Sequence, residues 1–220
     1  MEYAVVFLPL LSAILSGFLG KKFGVKFCQI LSSFLILVSA LISIFILFNV
    51  FTENYSSNKL IFSWIQSGEF KVDWAIKIDA LSSVMLVVVT LVSSIIHFYS
   101  IGYMDHDPNK SRFISYLSLF TFSMLVLVTA DNFMQLFFGW EGVGLCSYLL
   151  IGFWYKRSSA NSAAIKAFLV NRVGDFGLAI GIFLIFLFYK SVNYEEVFQL
   201  TPTLINISVS ILNIEFNLIT

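Results

Sequence analysis

The run FFGWEGVGLCSYLLIGFW, Phe137 to Trp154, is apolar and rich in glycine, yet it holds one carboxylate, Glu141. With the residues before it, the run makes one continuous segment over Asn132–Trp154. That is long enough to cross a bilayer as a helix, which takes about 20 mostly apolar residues. Five more segments of this kind occur, roughly Tyr3–Leu19, Val25–Phe51, Ile78–Ile101, Arg112–Thr129 and Ala160–Tyr189. Lipid cannot satisfy open backbone polar groups, and the runs are too long and continuous for barrel strands, so helices are expected. The fold class is therefore an all-α integral membrane protein, a polytopic bundle of about six transmembrane helices.

Composition agrees. Of the 220 residues 59% are hydrophobic and 12% charged, and mean hydropathy is +0.90. A soluble domain carries about 25% charged residues. Net charge is zero, which argues against nucleic acid as a partner. Cys28 and Cys146 both fall in apolar runs and read as buried inert thiols. At the N-terminus Glu2 precedes the apolar run and Lys21 and Lys22 follow it, the reverse of a cleavable signal, so an uncleaved first helix is expected.

The chain divides into five stretches. Residues 1–51 hold two N-terminal helices, and residues 52–77 form the one long loop, expected to be extracytoplasmic. Residues 78–129 hold helices three and four. Residues 130–190 hold helices five and six, and residues 191–220 read as a loop and an incomplete next helix. In the long loop, KLIFSWI and FKVDWAIKI partly alternate apolar and polar residues around Gln66-Ser67-Gly68-Glu69, the pattern of a short β-hairpin. Trp64 and Trp74 suit a membrane interface. Basic residues set the orientation. Seven (Lys21, Lys22, Lys26, Lys110, Arg112, Lys156, Arg157) follow the odd-numbered helices, and four (Lys59, Lys71, Lys77, Lys190) lie on the other side. This bias puts the N-terminus on the extracytoplasmic side.

A charge at a helix centre costs about 2.5–3.5 kcal/mol on insertion scales, so Glu141 is expected to face a partner or water. Its functional reading is a proton-carrying group; its structural reading is a tie between helices. Gly139, Gly142 and Gly144 around it allow close helix approach or a local opening of the backbone. On helix six, Arg172 and Asp175 are spaced to pair within the helix, for structure or for proton transfer. Lys166 lies on the opposite side, where it either snorkels to the surface or faces inward to feed protons. Gly174, Gly177 and Gly181 share a stripe expected to contact another helix. Asp79 reads as a cap on helix three, and His97, near the end of that helix, as a lone interfacial histidine. No glycine-rich phosphate loop, CxxC pair, histidine cluster or Ser-His-Asp set is present.

Three stretches carry a resemblance: KIDALSSVMLVVVTLVSSIIHFYSIGYM, SRFISYLSLFTFSMLVLVTADNFMQLFFGWEGVGLCSYLLIGFW and AAIKAFLVNRVGDFGL. Together they closely resemble the large antiporter-like membrane subunit of respiratory complex I, known as NADH dehydrogenase subunit 5 or chain L. The resemblance implies a proton-translocating subunit of NADH:quinone oxidoreductase that carries part of a proton channel. NADH, FMN, iron–sulfur clusters and quinone are then expected in partner subunits, with no cofactor in this chain. The implied partners are other complex I membrane-arm subunits, the lipid bilayer and protons. In the family a helix-five glutamate works with a helix-seven lysine. The glutamate falls on Glu141, the NRVGD motif on Arg172 and Asp175, and the KAF lysine on Lys166. The implied location is a bacterial inner membrane, or alternatively a mitochondrial one. The family chain is longer and continues into helix seven, so a fragment or a truncated product is expected here. Two other readings stand beside this one: a subunit of a multisubunit sodium/proton antiporter, or a non-pumping structural remnant.

Overall fold

A computed structural model of the chain describes residues 1–204, 208–211 and 214–217. Six long helices carry the fold: α1 (Glu2–Phe23), α2 (Val25–Glu53), α3 (Ala80–Tyr103), α4 (Lys110–Val128), α5 (Phe133–Ile151) and α6 (Ser158–Tyr189). Each is long and apolar enough to cross a membrane. Between α2 and α3 run two antiparallel strands, β1 (Ser57–Ser67) and β2 (Phe70–Ile78). Ser67 pairs with Phe70 across a two-residue turn whose first residue, Gly68, has φ 58. That is a type II′ hairpin turn, and glycine takes it without a Cβ clash.

Two of the long helices start at side-chain caps. Asp79 accepts a hydrogen bond from the Ser82 backbone at 2.7 Å, and Ser82 answers the Asp79 N–H, a reciprocal cap on α3. Asn132 caps α5 by accepting from the Gln135 N–H.

α1 packs on α2 and α4, α2 on α3, and α3 on α4. α5 packs on α4, and α6 packs on α5. The first four helices thus form a closed group, with α5 and α6 as a wing beside it. At its hairpin end the group holds an apolar cluster that includes Val5, Ile46, Val50, Leu86, Leu125 and Val126, roofed by Ile76 and Ile78 of β2. Deeper in the group, many of the buried side chains are hydroxyls, beside apolar ones such as Ile36 and Ile114. On α3 nearly every buried residue is polar: Ser82, Ser83, Thr90, Ser93, Ser94, His97 and Ser100, with Leu86 the exception. Its leucines and valines, such as Leu81, Val88 and Leu91, point outward. This inverts the soluble pattern, and it fits a helix whose outer face meets lipid while small residues make the helix contacts.

The hairpin is fastened to the helix ends by side chains that complete backbone pairing. Gln135 accepts from the Ala75 N–H and donates to the Ala75 carbonyl, at 3.1 and 2.7 Å. Asn132 donates to the Asp73 carbonyl. Asp131 accepts from Asn58 of β1 and from Asn193 beyond α6. Trp64 and Trp74 stack edge-on against each other and against Phe138 of α5.

After α6 a short amphipathic helix, α7 (Tyr194–Leu204), is followed by strands β3 (Ser208–Ile211) and β4 (Ile214–Asn217), paired antiparallel. This differs from the expected loop and incomplete helix over 191–220. Glu195, Glu196 and Pro202 did not mask a helix, and the alternation Ser-Val-Ser-Ile and Ile-Glu-Phe-Asn suits strands better than a helical face.

Candidate proton-transfer site between α5 and α6

Glu141 stands near the middle of α5, and Arg172 and Asp175 near the middle of α6. The three meet. The Arg172 Nη1 donates to both oxygens of Glu141 at 2.5 Å and lies 3.6 Å from Asp175 Oδ2. One guanidinium therefore bridges two carboxylates on neighbouring helices. Asp175 is buried and also accepts a hydrogen bond from the Trp140 indole at 2.7 Å. Trp140 precedes Glu141, so one turn of α5 presents both a carboxylate to Arg172 and an N–H to the partner of Arg172. The guanidinium lies over the Phe168 ring, 4.7 Å from its centroid, which adds a cation–π contact. The side chains of Glu141 and Arg172 are 25% and 46% exposed, so the cluster opens toward one side of the wing.

The backbone brings this cluster close to the four-helix group. A Cβ at Gly139 would lie 2.7 Å from the Leu127 backbone of α4, which no side chain tolerates, and one at Gly142 would lie 2.8 Å from Ser123 Oγ. These glycines provide the close approach. Gly144 meets nothing within 4 Å, and neither do Gly174, Gly177 and Gly181, so among the described residues the α6 stripe contacts no helix.

Of the four residues singled out from sequence, three come together and Lys166 does not. Lys166 is exposed on the far side of α6 and forms no ion pair among the described residues. Two features were missed. One is the Trp140 bond to Asp175, which has no sequence signal of its own. The other is His97, read as interfacial. It is fully buried, with Nδ1 2.8 Å from the Ser93 carbonyl and Nε2 3.0 Å from Ser118 Oγ. Since a carbonyl only accepts, Nδ1 carries the proton and Nε2 accepts from Ser118. Ser118 in turn bonds Ser12 of α1, and Ser93 bonds Thr121 of α4. The signal was there as spacing: Ser83, Thr90 and His97 recur every seven residues on α3.

Residues 64–114 match the model for NADH-ubiquinone oxidoreductase (complex I), chain 5 N-terminus. Residues 130–220, which hold Glu141, Arg172 and Asp175, match the model for the NADH:quinone oxidoreductase/Mrp antiporter transmembrane region. NADH-ubiquinone oxidoreductase chain 5 of Chondrus crispus is 50% identical over the whole chain. The chain belongs to the antiporter-like family of complex I chain 5. Within that family, NADH-quinone oxidoreductase subunit L of Rickettsia bellii is 47% identical over 98% of this chain. The chain covers 33% of the first of these relatives and 34% of the second, about a third of their length. Two solved structures share the fold at low identity. A chain of the archaeal membrane-bound sulfane sulfur reductase aligns with TM-score 0.78 and 17% identity, over 91% of this chain and 40% of that one. A chain of the Mrp complex from Dietzia aligns with TM-score 0.68 and 20% identity, over 89% of this chain and 20% of that one.

Proposed function

We propose that this chain contributes part of a proton path in the membrane arm of an NADH:quinone oxidoreductase, with Glu141 as the proton-holding group. The observation that carries the proposal is the bridge of Arg172 between Glu141 and Asp175. Two carboxylates share one guanidinium, so the ionised cluster has a charge of minus one and a single proton neutralises it. A carboxylate that loses its counter-charge in a low-dielectric setting favours its neutral form. Movement of Arg172 toward Asp175 therefore couples to protonation of Glu141, and its return releases the proton. Trp140 holds Asp175 in place for that exchange. Lys166, on the outer side of α6, supplies protons toward the cluster rather than joining it.

In this reading the electron-transfer chemistry lies elsewhere. NADH, FMN, the iron–sulfur clusters and quinone belong to partner subunits, and this chain binds other membrane-arm subunits. The N-terminus and the β1–β2 hairpin lie on the extracytoplasmic side of a bacterial or mitochondrial inner membrane, as the basic loops argue. Cysteines placed at Glu69 and Asp107 test this with an impermeant thiol reagent: only the first should react from the extracytoplasmic side, and the reverse result overturns the orientation.

The test of function is Glu141→Gln in the assembled complex. The expected result is normal assembly with proton pumping and coupled NADH:quinone turnover both depressed. A complex that pumps normally overturns the role of Glu141. Sodium-driven proton exchange without NADH oxidation by the wild-type assembly would favour the antiporter reading.

A further inference from the structure

At the opposite end of the bundle from the hairpin, the start of α4, the end of α5 and the start of α6 enclose a cavity of about 330 Å³. Its polar wall is Arg112, Tyr116, Tyr148, Tyr155 and Asn161, and its rim includes Leu149 and the exposed Ile165. No acidic residue lines it among the described residues. Arg112 is unusual. One Nη donates to the Phe153 carbonyl at 3.1 Å, while Nε is buried without a hydrogen-bond partner. Its guanidinium contacts two rings, 4.8 Å from the Phe153 centroid and 5.3 Å from that of Tyr155. Among the described residues it has no carboxylate: Asp105 is taken by Lys110, and Asp107 accepts from the Trp154 indole.

A partly desolvated arginine without a counter-charge is costly, and a planar fork fixed by two rings is shaped for an oxyanion. Arg112 lies two residues after the start of α4, and the end of a membrane-spanning helix falls near the headgroups. Lys156 and Arg157 follow α5 and add positive charge nearby. Tyr116, Tyr148 and Tyr155 bring hydroxyl-bearing side chains to its wall, and the apolar Ile165 on its rim is exposed. Basic pockets between helices at this level suit anionic headgroups. We propose that this cavity binds a phosphate group, held by Arg112 and the tyrosine hydroxyls, and presented either by an anionic phospholipid or as free phosphate. This site is separate from the Glu141 cluster and does not depend on its function.

The test uses the assembled complex in nanodiscs with a photoactivatable phosphatidylglycerol, and maps the crosslinked peptides by mass spectrometry. Labelling is expected within residues 148–165. It should fall roughly tenfold in Arg112→Gln, the scale of one lost charge-assisted contact. Ile165→Trp, on the exposed rim, should also lower it by blocking entry, and it decides the matter if Arg112→Gln fails to assemble. Competition by unlabelled phosphatidylglycerol but not by excess inorganic phosphate identifies the lipid as the source; displacement by inorganic phosphate identifies the free anion. Labelling that both variants leave unchanged, or that a matched phosphatidylcholine probe gives equally, overturns the proposal.

Discussion

Inside the group formed by α1 to α4 the buried polar side chains are mostly hydroxyls, with the His97 imidazole, the Gln29 amide and, at the hairpin end, the Glu2 carboxylate paired with Lys59, whereas α5 and α6 meet through one guanidinium and two carboxylates. The hydroxyl network is closed: Ser12, Ser118, His97, Ser93 and Thr121 satisfy one another, and none is exposed beyond 8%. Within this chain the charged cluster is the more exposed, with Arg172 nearly half exposed. Burial follows the same division. Within this chain, at least 28% of the most apolar 18-residue stretch of each helix from α1 to α4 is buried, against 17% for α5 and 11% for α6. Neutral hydroxyl pairs cost little to bury once bonded and have no charge to move. A charge cluster costs more to hold in a membrane. On the proposed function, the first region holds shape and the second changes state.

The largest effect should come from separating these roles. Glu141→Gln in the assembled complex should lower proton pumping by about a hundredfold, the scale of a lost proton-transfer group, while thermal stability stays near wild type. His97→Leu should do the reverse. It leaves Ser118 without its acceptor, a loss of about 1–3 kcal/mol, while pumping per assembled complex is kept. Measuring pumping in vesicles and the melting temperature on the same two preparations checks both. A His97→Leu complex that assembles and does not pump would break the comparison, because the closed region would then take part in transfer. A smaller effect is expected at the seam between the regions. Gly139→Ala pushes a Cβ against the Leu127 backbone and should cost about 1–3 kcal/mol by overpacking. Gly144→Ala, with open space around it, should be close to neutral in the same melt.

Much of the fold was legible from sequence because the signals were long. Six apolar runs gave six helices, and alternation around Gly68 gave the hairpin. Asp79 was read as a cap from its position alone, and the capping bonds are present. What escaped depends on how helices are rotated against each other. Arg172 and Asp175 were paired by spacing, but the closer contact of Arg172 is to Glu141, 31 residues away. No periodicity reports that distance. His97 was judged by its depth along α3 rather than by its face, so a side chain set inside four helices was assigned to the interface. The glycines of α5 and α6 look alike in sequence, yet Gly139 and Gly142 touch α4 while Gly174, Gly177 and Gly181 meet nothing. A small residue permits close approach; only the partner helix determines whether it happens.

The smallest effect tests the clasp that fastens α7 to the hairpin end of the bundle. The Tyr194 ring stands edge-on to Phe133, with centroids 4.7 Å apart, and its N–H donates to the Asp131 carbonyl. Burial, and then the charge of Asp131, push its phenol above the ordinary tyrosine range. The native state therefore keeps this proton to higher pH than the unfolded chain does. The contribution of Tyr194 is intact below about pH 10, the ordinary value, and is lost as pH rises above it, because the unfolded chain ionises first. Fluorotyrosine introduced at position 194 of the full complex reads this by fluorine NMR. Its midpoint should lie above that of the same residue in denaturant. Asp131→Asn should bring it only part of the way down, since burial is the larger cause. A midpoint equal to the denatured value would mean that the clasp is open. The closed region would then end at the hairpin, and α7 would belong with the α5–α6 wing.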